Sequence, residues 1–158
     1  MSIQLVVCTP WYYLDDKELS DYFVKSVFSE TKCELDNSDK NISHTIDLPI
    51  SVSFEMGELA FEHWGDCLDS DILVAVPVIL PCRFDGLMTV EYSEDPDEEA
   101  DVLVSHATFI SALSRFKKLF ERIVKDFEKS DDFYYLINAY EEAIELSLKH
   151  NLIIYLDT

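Results

Sequence analysis

This sequence predicts an α+β fold, on three observations. Ile46, Leu48, Ile50, Val52, Phe54 and Met56 alternate with Asp47, Pro49, Ser51, Ser53 and Glu55, the period of a strand with one buried face. Phe109, Leu113, Phe116, Phe120, Ile123 and Phe127 recur at spacings of three and four, the period of a helix with one apolar seam. Leu152-Ile153-Ile154-Tyr155-Leu156 is a short apolar run, long enough for a strand but not for a helix. Strands and helices that do not alternate give a mainly antiparallel sheet, with an N-terminal helix and a C-terminal antiparallel helix hairpin followed by a final strand.

Taken in order, Ile3 to Cys8 is an apolar run that stops before Pro10, a buried strand. Asp15 or Asp16 can cap a helix whose Leu19, Tyr22, Phe23 and Val27 share a face, ending before Asp36-Asn37-Ser38-Asp39. Trp11, Tyr12 and Tyr13 link that strand to that helix and are expected in the core. Pro49 argues that the strand over 46–56 lies at a sheet edge or carries a bulge, because proline cannot donate to the ladder. Residues 58–64 fit strand and helix equally. Ile72 to Leu80 is a second apolar run interrupted at Pro77, and Asp85-Gly86 turns the chain into Met88, Val90 and Tyr92, so 71–92 is expected to form a hairpin.

In the last third, Ser130-Asp131-Asp132 is expected to break the helix, and Phe133, Ile137, Tyr140, Ile144 and Leu148 carry a second seam. Lys149 and His150 suit a helix C-terminus and Asn151 the left-handed position after it. Residues 1–158 are expected to form a single domain, with an acidic loop at 94–101.

Charge narrows the function. The 158 residues hold 12 Lys and Arg against 32 Asp and Glu, a formal net of −20. Residues 1–110 hold 23 acids and 5 bases, while 111–158 hold 9 and 7. With 48% hydrophobic and 13% aromatic residues this is a folding chain with an acidic surface. Such a field repels nucleic acid and anionic membrane and attracts basic surfaces, so the expected partner is a basic protein. A salt-rich cytosol or a simple need for solubility would account for the same charge.

Arg115, Lys118, Arg122, Lys125 and Lys129 run along a helix opposite the apolar seam, a solvated face. No stretch combines a basic head, an apolar run and a cleavage site, and no run approaches the ~20 apolar residues of a membrane span, which makes the cytoplasm the expected location. Cys8, Cys33, Cys67 and Cys82 match neither a metal knuckle nor a dense disulfide framework and are expected as buried, reduced side chains.

Chemical motifs are sparse. Three glycines leave no phosphate-cradling or dinucleotide loop. His44, His63, His106 and His150 are scattered, and His63 with Cys67 supplies only two ligands, so no metal, no cofactor and no catalytic residue is assigned. Among 32 acids any carboxylate spacing arises by chance, which leaves a carboxylate-dependent hydrolase as the alternative from another class.

Two acidic clusters are candidate partner-binding sites. Glu62, Asp66, Asp69 and Asp71 surround Trp64, a residue type enriched at binding hot spots. Glu94, Asp95, Asp97, Glu98 and Glu99 crowd the loop before residue 101. The expected function is a small acidic cytosolic binding protein that inhibits a basic partner, best an immunity protein neutralising a bacterial nuclease-type toxin. A phage nucleic-acid mimic acting on restriction or CRISPR machinery is the alternative. The acids gather in loops instead of spacing along a face as phosphates do, which favours the first.

Overall fold

The computed structural model describes residues 3–48, 77–95, 98–123 and 127–157. Strand β1, Ile3–Cys8, enters the core at once. Helix α1, Pro10–Leu14, starts at Thr9, whose hydroxyl accepts from the Tyr12 N–H, and Pro10 supplies its first turn without wasting a donor. Asp15 in the left-handed region ends it. Asp16 then caps helix α2, Lys17–Thr31, by accepting from the Leu19 N–H at 2.9 Å, and Lys32 at φ 61° ends that helix.

Strand β2 is Ser43–Leu48, β3 is Val78–Leu80, β4 is Leu87–Val90 and β5 is Asp101–Ser105. Helices α3, His106–Ile123, and α4, Phe127–His150, lead to strand β6, Ile153–Asp157. The six described strands form one sheet in the order β2-β1-β6-β3-β5-β4. Every pairing is antiparallel except β3 with β5. The fold is α+β, as the sequence predicts.

Alternation along each strand builds two cores. Leu5, Val7, Ile79, Val104 and Ile154 face Phe109, Leu113, Phe116, Leu136, Tyr140 and Ile144 of α3 and α4. Val6, Cys8, Val78, Leu80, Leu103 and Ile153 face Phe23 and Val27 of α2 and, beyond it, Cys33 and Leu35. The sheet is therefore sandwiched between α2 and the α3–α4 pair. This coverage explains why β1, β3 and β6 read as unbroken apolar runs. β2 ends the described sheet and keeps the half-wet pattern: Leu48 is buried while Asp47 is exposed.

Four expectations are corrected. Leu19 and Tyr22, read on one face of α2 with Phe23 and Val27, are 38% and 50% exposed, and only Phe23 and Val27 are buried. Strands β3 and β4 do not pair as a hairpin, because β5 lies between them, parallel to one and antiparallel to the other. Leu103 and Val104 of β5 bury on opposite faces, which demands an interior position, and the Ser105 hydroxyl fastens the turn after β3 by donating to the Cys82 carbonyl at 2.6 Å. Ser130-Asp131-Asp132 lie inside α4, close to its N-terminus, where acids are favoured by the helix dipole. Leu148 is 45% exposed, whereas Leu136, Ala139, Ala143 and Ser147 are buried, so small residues carry much of the inward face of α4.

Other readings hold. Phe109, Leu113, Phe116, Ile137, Tyr140 and Ile144 are buried, and Arg115, Lys118 and Arg122 are exposed. Asn151 stands at φ 55° after α4. The strand over 49–56, the segment 58–64, the run 71–76, and the side chains of Phe120, Ile123, Lys125, Phe127, Lys129 and Phe133 lie outside the described residues.

Candidate partner-binding surface

The chain between β4 and β5 carries the acidic loop, and its two ends are fastened by one carboxylate. Asp101, the first residue of β5, accepts a 2.6 Å hydrogen bond from the Tyr13 hydroxyl at Oδ1. At Oδ2 it accepts from the hydroxyl of Tyr92, which opens the loop. Tyr13 comes from α1 and stacks at a tilt on Tyr155 of β6, ring centroids 4.6 Å apart. Tyr92 meets Tyr22 of α2 at 6.0 Å. A strand, a loop and helix α1 thus converge on one acid, and α2 packs its Tyr22 against the loop's Tyr92.

Burial first, and then the hydrogen bond to the Asp101 carboxylate, push the Tyr13 and Tyr92 hydroxyls well above the ordinary tyrosine range. Both phenols keep their protons and act as donors. A carboxylate with two such donors makes strong charge-assisted bonds, and the geometry pins the base of the loop to the body of the protein.

Above this clamp the loop folds on itself. The Asp95 N–H donates to the Ser93 hydroxyl at 3.1 Å and the Glu98 N–H to the Asp95 carbonyl at 3.1 Å. Glu94, Asp95, Glu98 and Glu99 are all exposed, and with Glu91, Tyr92, Ser93 and Ala100 they line a shallow depression. No Lys or Arg occurs in the sequence between Arg83 and Arg115, so no permanent positive charge along the chain offsets these acids. Among the described residues no ion pair holds Glu94, Glu98 or Glu99.

Four of the candidate residues are thereby brought together: Glu94, Asp95, Glu98 and Glu99. Asp97 lies outside the described residues, as do Glu62, Trp64, Asp66, Asp69 and Asp71, together with His63 and Cys67. Sequence reasoning missed the clamp. Tyr92 and Asp101 bracket the acidic run, which is a weak signal, but Tyr13 is 88 residues from Asp101 and nothing in the sequence joins them. The aromatic trio is also corrected: Trp11 and Tyr13 are half-buried and Tyr12 is 38% exposed. Only Tyr13 turns toward the sheet, while the Trp11 ring carries the Lys17 ammonium 4.4 Å from its centroid.

Among the described residues no three His, Cys, Asp or Glu side chains gather as a metal site, and no helix is long and apolar enough to cross a membrane. Comparison with known proteins yields no relative: no family model, curated protein or solved structure matches the chain.

Proposed function

We propose that this protein is a small acidic binding protein that inhibits a basic partner, best an immunity protein that neutralises a bacterial nuclease-type toxin in the cytoplasm. The observation that carries the reading is the tethered acidic depression: Glu94, Asp95, Glu98 and Glu99 stand exposed on a loop whose base is pinned by Tyr13, Tyr92 and Asp101. Pre-organised charge loses less entropy on binding than charge on a floppy chain. It also steers a basic partner by long-range attraction, and close charge pairs at nuclease–inhibitor interfaces couple by roughly 1.5–7 kcal/mol. A basic nuclease surface built to hold phosphates offers the arginines and lysines this depression would meet.

The test begins by recovering the partner from the native host on tagged protein, eluting with high salt, and asking whether the eluted protein cleaves nucleic acid and is silenced when the acidic protein is restored. A variant with Glu94, Glu98 and Glu99 changed to Gln and Asp95 to Asn is then compared by association kinetics. It is expected to associate about tenfold more slowly at low salt, with the difference closing at high salt. Equal association by variant and parent at both salt concentrations would remove the loop from the interface. An eluted partner with no nuclease activity would remove the immunity reading.

A further inference from the structure

Two of the cysteines come together, although they are 49 positions apart in sequence. Cys33 follows the end of α2 and Cys82 follows β3, and both border the same core, with the Thr31 hydroxyl reaching each of them. Thr31 frames the pair. Its Oγ1 lies 3.8 Å from the Cys82 sulfur, accepts the Cys33 N–H at 3.2 Å, and donates to the Val27 carbonyl at 2.7 Å, the last turn of α2. The carbonyl of Cys82 is held from the other side by the Ser105 hydroxyl. Both cysteine backbones are fixed by neighbours that do not depend on the sulfurs. The pair has access to solvent: Cys82 is half-exposed, and Cys33 lies in the wall of an open groove beside Phe28 and Lys32.

We infer that Cys33 and Cys82 are a disulfide-forming pair, a modification site that small-molecule disulfides such as oxidised glutathione close and reducing thiols reopen. The roles are set by position. Cys82 is the accessible member, and the neighbouring Cys33 thiol draws the Cys82 thiol down, against the opposing effect of burial. The Cys82 thiol beside it, followed by burial, pushes the Cys33 thiol up. Cys82 is the attacking thiolate and Cys33 the resolving thiol. The Cys82 thiolate attacks one sulfur of oxidised glutathione, forming a mixed disulfide and expelling one glutathione thiolate. That thiolate takes up the proton that Cys33 releases. The Cys33 sulfur then attacks the Cys82 sulfur and expels the second glutathione, which leaves as a thiol after protonation by solvent. Two protein thiols are oxidised, one glutathione disulfide is reduced to two glutathiones, and atoms and electrons balance.

The product ties the end of α2 to the turn after β3, across the core between that helix and the sheet. Cys8 borders the same core but is fully buried, its thiol raised to about 12 by burial, and it does not compete.

The test uses the full reduced chain and a Cys67→Ser variant, which removes the cysteine at position 67 as a partner. Both are incubated with a series of glutathione redox buffers, quenched by alkylation and mapped by peptide mass spectrometry. The expected product lacks two hydrogen atoms and contains one peptide in which Cys33 is joined to Cys82, in both proteins, fully reversed by dithiothreitol. In the reduced chain Cys82 is expected to alkylate about tenfold faster than Cys33 at neutral pH. A Cys33→Ser variant is expected to stop at the mixed disulfide on Cys82. Recovery of Cys33 and Cys82 as separately alkylated or separately glutathionylated residues in oxidising buffer would overturn the inference, as would a Cys67 cross-link in place of the expected one.

Discussion

Tyr13 donates to Asp101 across 88 residues of chain at 2.6 Å, and the same carboxylate receives Tyr92 at its other oxygen. One acid therefore joins α1, the loop after β4 and the start of β5. Replacing Tyr13 or Tyr92 by Phe leaves the ring in place and strips one donor from a half-buried charge. Each change is expected to cost about 1–3 kcal/mol in urea unfolding. A cost below roughly 0.5 kcal/mol for both, the range of ordinary surface changes, would show that the clamp contributes nothing to stability.

Alkaline titration reads the same phenols. Burial, joined for Tyr13 and Tyr92 by the hydrogen bond to Asp101, pushes the Tyr13, Tyr92 and Tyr140 hydroxyls far up, and burial pushes Tyr155 to about 12. In the unfolded chain these groups ionise near pH ~10. The unfolded state therefore releases protons first, so stability is held below that pH and lost as pH rises from there through the folded values. Tyrosinate absorbance should show these four residues silent at pH ~10 and titrating together when the protein unfolds. Ionisation of all eight tyrosines in one step near that pH, with secondary structure intact, would contradict the burial assigned to them.

Phe116 and Ile137 test the packing of the helix pair on the sheet. Phe116 is fully buried and Ile137 nearly so, both within the core shared by α3, α4 and the sheet. Phe116→Ala is expected to cost about 3–5 kcal/mol and Ile137→Ala about 2–5 kcal/mol by chemical denaturation. Values under about 1 kcal/mol would place both side chains outside the core.

Ser147 and Asn151 test the passage from α4 into β6. The buried Ser147 hydroxyl donates to the Leu152 carbonyl at 2.6 Å, and the Leu152 N–H donates back to the Ser147 carbonyl at 3.1 Å. Ser147→Ala is expected to cost about 1–3 kcal/mol. Asn151 holds φ 55°, so Asn151→Gly should be neutral or slightly stabilising, whereas Asn151→Val should cost about 1–3 kcal/mol by thermal melting. Equal stability of the glycine and valine variants would show that the turn does not require the left-handed backbone.

Much of the fold was legible because its signals are local. Helix α2 shows its start at Asp15-Asp16, where Asp16 is the cap, and α4 shows its stop at Asn151; of the four apolar residues that share helical spacing in α2, Phe23 and Val27 are buried while Leu19 and Tyr22 are exposed. What failed was non-local. β5 is hidden in the sequence because Asp101 reads as the end of an acidic run, and a strand of five residues gains its identity only from the neighbours on either side. Leu148 shares the helical spacing of the seam yet is exposed, because spacing says which residues share a face but not which of two adjoining faces meets the sheet. The acidic loop was visible as composition; its anchoring through Tyr13 was not.

Helix α2, the course of α3, the end of α4, the α+β class and the acidic charge are legible in the sequence alone, since capping, periodicity and net charge act between near neighbours or over the whole chain. The insertion of β5 between β3 and β4, the meeting of Tyr13 and Tyr92 on Asp101, and the approach of Cys33 and Cys82 around Thr31 arise only in the folded molecule. The physical reason is shared by all three. Each depends on residues far apart in the chain being brought together when two cores close on opposite faces of one sheet, and no pattern within either segment encodes its partner.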